Sequence, residues 1–100
     1  MRQALVFARV NSAAMRRLLD LLRMWLPDGH IVGREYVARN PHRADRRLGS
    51  FKVNLHTGRW ADFATGDRGG DVVSLFAFLF SIRQLEAAQK LGRLLGVHHG

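Results

Sequence analysis

The hydrophobic positions near the start of the chain have helical spacing. From Ser12 to Leu26, apolar residues recur every three or four positions, while arginines and an aspartate fall between them. This spacing predicts an amphipathic helix with Ser12 as its N-cap and Pro27 just past its end. We expect the helix to pack on a sheet, although a leucine stripe opposite arginines can also lie on a membrane surface.

Alternating apolar and polar residues in the middle of the chain predict strands. Residues 31–39 indicate one short strand, followed by an arginine-rich loop over 41–48. Phe51, Val53 and Leu55 then alternate with polar residues, which is typical of a strand with one buried and one wet face. The next glycine along the chain marks the turn into the second strand of a hairpin.

The length of this hairpin loop decides which way Trp60 faces. A three-residue loop ending at Gly58 places glycine at the left-handed position and pairs Phe51 with Phe63 on one apolar face. A loop of two or four residues would instead bring an aspartate onto that face. We therefore predict the three-residue loop, with Trp60 on the wet face near Lys52.

The last third of the chain predicts two helices after a loop over 64–70. Asp71 is the expected N-cap of a helix that is apolar almost all round and must be covered on several sides. Ser81 and Gln84 have the spacing of a capping box for a final helix that ends at Gly96. The residues of this last helix that we expect to face inward are Leu85, Ala88, Leu91 and Leu95.

Length and composition limit the fold to one small domain. A chain of 100 residues with 47% apolar content fits an α+β fold, in which a small antiparallel sheet or hairpin is flanked by an N-terminal helix and two C-terminal helices. We divide it into an N-terminal helical extension (1–33), a β ribbon (34–66) and a helical pair (71–96). No apolar run is long enough to span a bilayer and the start lacks a signal-peptide pattern, so we expect a cytoplasmic protein.

The charge balance indicates a phosphate-bearing partner. Lysine and arginine number 16 against 8 acidic residues, for a net charge of +8, and 14 of the 16 are arginine, whose planar guanidinium binds phosphate oxygens in pairs. Alternatives are a domain that is basic only for solubility, or one that neutralises an acidic protein. The predicted nucleic-acid-binding residues are Arg34, Arg39, Arg43, Arg46, Arg47, Lys52, Arg59, Trp60 and Arg68.

Trp60 has two interpretations, since an exposed indole could stack on a base of a single strand whereas tryptophan is also a common core residue. For catalysis we find no nucleophile paired with a base, because the serines lie at caps, in a strand or in a helix. The glycines ahead of Asp71 suggest a helix-entry turn rather than a phosphate cradle, because that carboxylate would occupy the capping amides. In this loop only Arg68 is an expected phosphate contact.

The segment from Asn40 to Asp71 resembles the N-terminal zinc ribbon (CHCC type) of bacterial, phage and plasmid DNA primases and primase-helicases. That family has Cys-Pro-x-His, then Pro-Ser-Phe, Cys-x-x-Cys and Gly-Gly-Asp before an apolar helix. Here Asn40-Pro41, Gly49-Ser50-Phe51 and Gly69-Gly70-Asp71 stand at three of these places. The positions that correspond to the metal ligands are Asn40, His42, Asp62 and Thr65.

The chain has no cysteine, so the resemblance implies a metal-free ribbon with neither zinc nor another cofactor. Five histidines, with Asp45 or Asp62, could be considered as replacement ligands, but their spacing does not favour a four-ligand site. These histidines are His30, His42, His56, His98 and His99.

The resemblance further implies a role in DNA replication of a mobile element or chromosome. It predicts a non-catalytic module that binds single-stranded DNA template, or another nucleic acid, and that works beside a replicative helicase or a primase catalytic domain. The catalytic Toprim or helicase region of such proteins has no counterpart in this chain. The alternative is a protein-interaction adaptor that docks a helicase, polymerase or host factor through its apolar helices.

Overall fold

The computed structural model describes residues 2–42 and 49–97. Within them the chain adopts an α+β fold, in which a five-stranded antiparallel sheet has its strands in chain order. The predicted fold class is therefore confirmed. The elements are α1 (Arg2–Met15), α2 (Leu18–Trp25), β1 (His30–Val32), β2 (Glu35–Ala38), β3 (Phe51–Asn54), β4 (Trp60–Asp62), β5 (Arg68–Gly69), α3 (Val72–Phe80) and α4 (Gln84–Leu95).

The N-terminal amphipathic pattern folds as two helices rather than one. The first helix already begins at Arg2, so Ser12 lies inside α1 and its predicted role as an N-cap is wrong. The chain breaks at Arg17, whose φ of −128° is not helical, and α2 follows. The leucine stripe is buried as predicted, and α2 ends at Trp25, just ahead of Pro27. The start was missed because α1 packs on α3 and α4, and the local sequence pattern does not show these contacts.

The segment predicted as one strand over 31–39 is a hairpin. Strands β1 and β2 pair antiparallel up to Val32 and Glu35, and Gly33 supplies a left-handed φ of +61° at the turn between them. The predicted boundary between the N-terminal helical extension (1–33) and the β ribbon (34–66) therefore separates β1 from the sheet to which it belongs. Similarly, the predicted loop over 64–70 contains β5, which pairs with β4 along the far edge of the sheet.

The register of the β3–β4 hairpin differs by one residue from the prediction. Val53 lies opposite Trp60, which leaves a four-residue loop over 55–58. The side chain of Asn54 holds this loop, because its Oδ1 accepts hydrogen bonds from the backbone amides of His56 (2.8 Å) and Thr57 (3.0 Å). Gly58 has the predicted left-handed conformation, with φ of +77°.

Side chains alternate between the two faces of a strand, so a shift of one residue reverses every side chain on β4. Trp60 and Asp62 point into the core, while Phe63 lies on the outside. The apolar face predicted for Ala61 and Phe63 is therefore wrong. Only the partners on β3, Phe51 and Val53, are buried as expected.

Helix α3 packs on the inner face of the sheet through Phe78, and α4 packs on α3 and α1. Asp71 caps α3 through a hydrogen bond from the Ser74 amide, and most of this helix is buried, as predicted. Ser81 does not cap α4: it ends α3 in a left-handed conformation, with φ of +56°, and Arg83 precedes α4 without a side-chain cap. Leu85 consequently faces solvent, at 40% exposure, and alanine side chains line the inner face in its place. The end of α4 at Gly96 is as predicted.

Candidate nucleic-acid interface

Trp60 belongs to the hydrophobic core and is only 5% exposed. Its ring packs against Phe51, with 5.8 Å between centroids, and against Phe78, with 4.8 Å between centroids. The indole Nε1–H donates a hydrogen bond to Ser74 Oγ at 3.0 Å, which satisfies its polar atom inside the protein. The prediction that Trp60 lies on the wet face is wrong, and its indole does not offer a ring face to a base.

Phe63 takes the exposed position that had been predicted for the tryptophan. It is 71% exposed, the largest fraction among the exposed large hydrophobic residues of the described chain. The Lys52 ammonium lies 5.5 Å from the centroid of its ring, within the range of a cation–π interaction. The sequence could have identified Phe63 through the four-residue hairpin loop, because the strand register that this loop produces places Phe63 on the outer face of the sheet.

Strand pairing brings basic residues together on the outer face of the sheet. Lys52 pairs with Ala61 and Ala61 pairs with Arg68, so the lysine and the arginine lie on one face, about 10 Å apart across two strand spacings. Arg59 is exposed and lines one shallow depression together with Lys52 and Phe63. The alanine between the two cations is small, so the surface stays open. We call Lys52, Arg59, Phe63 and Arg68 the outer-face cluster.

The other predicted basic residues lie at the ends of the sheet or outside the described chain. Arg34 is exposed in the β1–β2 turn, and its carbonyl accepts a hydrogen bond from the Leu55 amide at 2.8 Å. Arg39 is exposed just after β2, towards the opposite end of the sheet. Arg43, Arg46 and Arg47 fall in residues 43–48, which the structure does not describe. Further arginines on the helices are exposed, so positive charge is not confined to the outer face.

The outer-face cations form no ion pair with an acidic residue of the described chain. Across residues 2–42 and 49–97, the ion pair that forms joins Glu86 and Lys90 on α4, at 3.1 Å, far along the chain from the cluster. The half-buried Glu35 lines the same depression as Lys52 but makes no ion pair with it. The cluster therefore presents three cations without an ion pair to a described residue, with the Glu35 carboxylate in the same depression, beside an exposed ring.

Two of the ligand-equivalent positions are joined by a buried hydrogen bond. Asn40 Nδ2–H donates to Asp62 Oδ2 at 2.8 Å, and the two residues are 4% and 0% exposed. The second oxygen of Asp62 accepts a hydrogen bond from the Ala64 amide at 2.8 Å. Asn40 Oδ1 in turn accepts from the His42 amide at 2.9 Å. This cluster connects the end of β2 to the end of β4.

The fourth ligand-equivalent residue does not join that cluster. Thr65 is exposed, and its hydroxyl donates to Asp67 Oδ2 at 2.8 Å. The His42 ring contacts α3 instead, with Nε2 at 2.6 Å from the Phe78 carbonyl oxygen. In the described part of the chain, no three histidine, aspartate or glutamate side chains meet in a group that could hold a metal ion. His98, His99 and Asp45 lie outside the described residues.

The Gly-Gly-Asp turn has a structural explanation. A Cβ atom at Gly69 would lie 2.4 Å from both Trp60 Nε1 and Ser74 Oγ, so only glycine lets β5 pass over the hydrogen-bonded indole. Asp71 Oδ1 accepts the Ser74 amide at 2.8 Å, so the carboxylate occupies the capping site as the sequence predicted. The turn is a helix entry, and Arg68 beside it is exposed to solvent.

The chain matches no protein-family model, and no curated protein sequence matches it. The likeness to primase zinc ribbons therefore stays a prediction from the quoted motifs. None of the helices in the described residues is long and apolar enough to cross a membrane. What the fold and the site define is a small α+β domain with helices on one face of its sheet and a cationic, partly aromatic surface on the other.

Proposed function

We propose that this protein is a non-catalytic module that binds single-stranded nucleic acid across the outer face of its sheet. The observation that carries the proposal is the outer-face cluster: Phe63 is 71% exposed among basic residues that have no acidic partner in the described chain. An exposed aromatic ring beside cations is a surface on which a base of a single strand can stack. Bases provide flat rings to cover it, and phosphates provide the opposite charge.

The expected energetics follow from this arrangement. Stacking of one base on an exposed aromatic ring contributes about 1–3 kcal/mol and is tolerant of sequence. Contacts from Lys52, Arg59 and Arg68 to three phosphates would release counterions, so log K should fall with log salt with a slope of about −2 for a single strand. We therefore expect weak to moderate binding, strongly weakened by salt, with little base preference.

The resemblance to primase ribbons supports a particular setting for this activity. We propose that the module contacts template DNA during replication and acts in the cytoplasm beside a helicase or a primase catalytic domain. The Asn40–Asp62 hydrogen bond supports this interpretation, since it joins two of the positions that the resemblance equates with zinc ligands. A ribbon that has this internal connection can keep its sheet without a metal.

The test is a fluorescence-anisotropy titration of labelled single-stranded DNA at two salt concentrations. Phe63→Ala should weaken binding by about 5- to 150-fold, the equivalent of about 1–3 kcal/mol of lost stacking. Leu94→Ala is the matched control, because Leu94 is an exposed apolar residue on α4, away from the sheet. Circular dichroism should show both variants folded. No binding by the unmodified protein at low salt, or equal affinity of the two variants, would refute the proposal.

A second candidate is the protein-interaction adaptor, and a specific observation favours it. Phe80, at the end of α3, is half exposed and lies edge-on to Trp25, with 6.4 Å between ring centroids. Met24, which neighbours Trp25 in α2, is also exposed, so these residues leave apolar surface on the helical side of the protein. A purified helicase or primase catalytic domain that binds after nuclease treatment, and is lost in Phe80→Ala but not Phe63→Ala, would favour the adaptor.

A further inference from the structure

A second depression lies beyond β5, between the sheet edge and the helical pair. On the sheet side it is lined by Trp60 and by 68–70, and on the helical side by residues of α3 and by the segment that enters α4. We call this depression the β5–α4 groove. The residues that matter for its chemistry are Arg68, Gly70, Phe78, Ile82 and Arg83.

The groove is continuous with the outer-face cluster. The depression that contains Lys52 and Phe63 shares Arg59 and Ala61 with a neighbouring depression over β4 and β5. The depression over β4 and β5 in turn shares Arg68 and the two following glycines with the β5–α4 groove. One surface track therefore runs across the sheet, over its β5 edge and on to the start of α4.

The surface chemistry of the groove suits a nucleotide. Phe78 and Ile82 are half buried, so part of each side chain forms an apolar surface on the helical side. Arg68 and Arg83 are both exposed, and neither forms an ion pair with a residue that the structure describes. Open space surrounds the Cβ position of Gly70, where an added Cβ would have no heavy atom within 4 Å. The chain thus leaves room at the point where a strand would pass over the sheet edge.

Two acidic residues also line the groove, and they narrow down where a phosphate can lie. Asp67 accepts a hydrogen bond from the Thr65 hydroxyl, and Asp71 is engaged in capping α3. Asp67 directly precedes β5 and Asp71 follows it as the cap of α3, so neither carboxylate belongs to the segment that enters α4. A phosphate should therefore be held towards Arg83, at the far side of the groove, where the cation is not offset by these carboxylates.

We propose that a single strand bound on the outer face continues over β5 into the β5–α4 groove, with a phosphate held between Arg68 and Arg83 and a base against Phe78 and Ile82. This inference rests on the proposed function, and it adds Arg83 as a binding residue that the sequence did not indicate. It also gives the bound nucleic acid a path, which crosses the strands β3, β4 and β5 in turn rather than running along one of them.

The test compares Arg83→Glu with Arg93→Glu by anisotropy titration. Both substitutions reverse an exposed arginine next to or within α4, but Arg93 lies in the last turn, and it does not line the groove. Arg83 makes no side-chain cap bond to α4, so the substitution should leave the helix intact. The probes are single-stranded DNA of about 4 and about 12 nucleotides, near the limits of the range that small single-strand-binding domains cover.

For the longer probe we expect Arg83→Glu to weaken binding about tenfold and to make the salt slope shallower by about 0.7, the value for one lost phosphate contact. Arg93→Glu should have a much smaller effect, and the affinity for the short probe should be similar in both variants. If the unmodified protein binds the long probe and the two variants bind it equally, the groove inference is wrong while the proposed function stands. If the unmodified protein binds neither probe, both are wrong.

Discussion

Gly69→Ala should destabilise the protein much more than Gly70→Ala, although the two substitutions are chemically identical and adjacent. At Gly69 the added Cβ would lie 2.4 Å from Trp60 Nε1 and from Ser74 Oγ, and 2.6 Å from Trp60 Cε2. Ordinary contacts between such atoms begin near about 3.5 Å, so the indole or the strand must shift by roughly 1 Å. At Gly70 the same atom would meet nothing within 4 Å.

The indole cannot move aside easily, because it is buried in the core and packs against both Phe51 and Phe78. Overpacking of this kind costs about 1–3 kcal/mol, and loss of the hydrogen bond between Trp60 and Ser74 adds about 1 kcal/mol. We expect a loss of about 2–4 kcal/mol of unfolding free energy for Gly69→Ala. Gly70→Ala should be neutral or slightly stabilising, by up to about 1 kcal/mol, because alanine restricts the unfolded chain.

Urea denaturation followed by tryptophan fluorescence measures both effects in one experiment. The free-energy difference between the variants corresponds to roughly 10 °C or more in Tm for a chain of this size, so thermal unfolding offers a second readout. Equal stability of the two variants would refute the reasoning. It would mean that β5 does not pass closely over the indole, and that the account of the Gly-Gly-Asp turn is wrong.

Three other substitutions test individual contacts in the same denaturation assay. Asn40→Ala removes the amide donor to the buried Asp62 carboxylate and should lower the unfolding free energy by about 1–3 kcal/mol. A change of less than roughly 0.5 kcal/mol, on the order of measurement error, would contradict the proposal that this hydrogen bond takes the place of a metal. Tyr36→Phe removes a 2.7 Å hydrogen bond to the Leu26 carbonyl and should cost about 1 kcal/mol at neutral pH. Burial raises the pKa of the Tyr36 hydroxyl above its ordinary value of 10.0. The unfolding free energy should therefore hold below that pH and fall as pH rises through the raised pKa. This fall should be smaller in the phenylalanine variant. Ser81→Gly should stabilise by up to about 1 kcal/mol, since Ser81 has a left-handed φ of +56°; a loss of stability would show that its side chain contributes more than the strain costs.

Features that depend on a few consecutive residues could be predicted from the sequence alone. The end of α2 before Pro27, the left-handed Gly58 and Gly96, and the cap at Asp71 all follow from the backbone preferences of the residues themselves. The alternation of Phe51 and Val53 likewise gave the right buried face for β3. Local chemistry decides these points, so distant parts of the chain do not change them.

The start of α1 and the orientation of β4 depended on contacts that only folding brings together. α1 has no local start signal, and its burial against α3 and α4 makes it a helix. Hairpin loops of three and four residues differ little in local preference, but they place opposite faces of β4 in the core. Asn54 holds the observed loop with its side chain, a contact that the sequence pattern did not reveal.

Asp62 shows why the register, and with it the candidate site, was decided by the tertiary structure. We rejected the observed register because it places an aspartate on the apolar face, and an unpaired buried carboxylate is strongly unfavourable. Folding supplies a partner from 22 positions earlier in the chain, since Asn40 donates to this carboxylate. With Asp62 satisfied, Trp60 can pack against Phe51 and Phe78 in the core, and Phe63 is left outside. The amino-acid sequence by itself determined that an aromatic ring would lie among cations, and only long-range packing decided which ring.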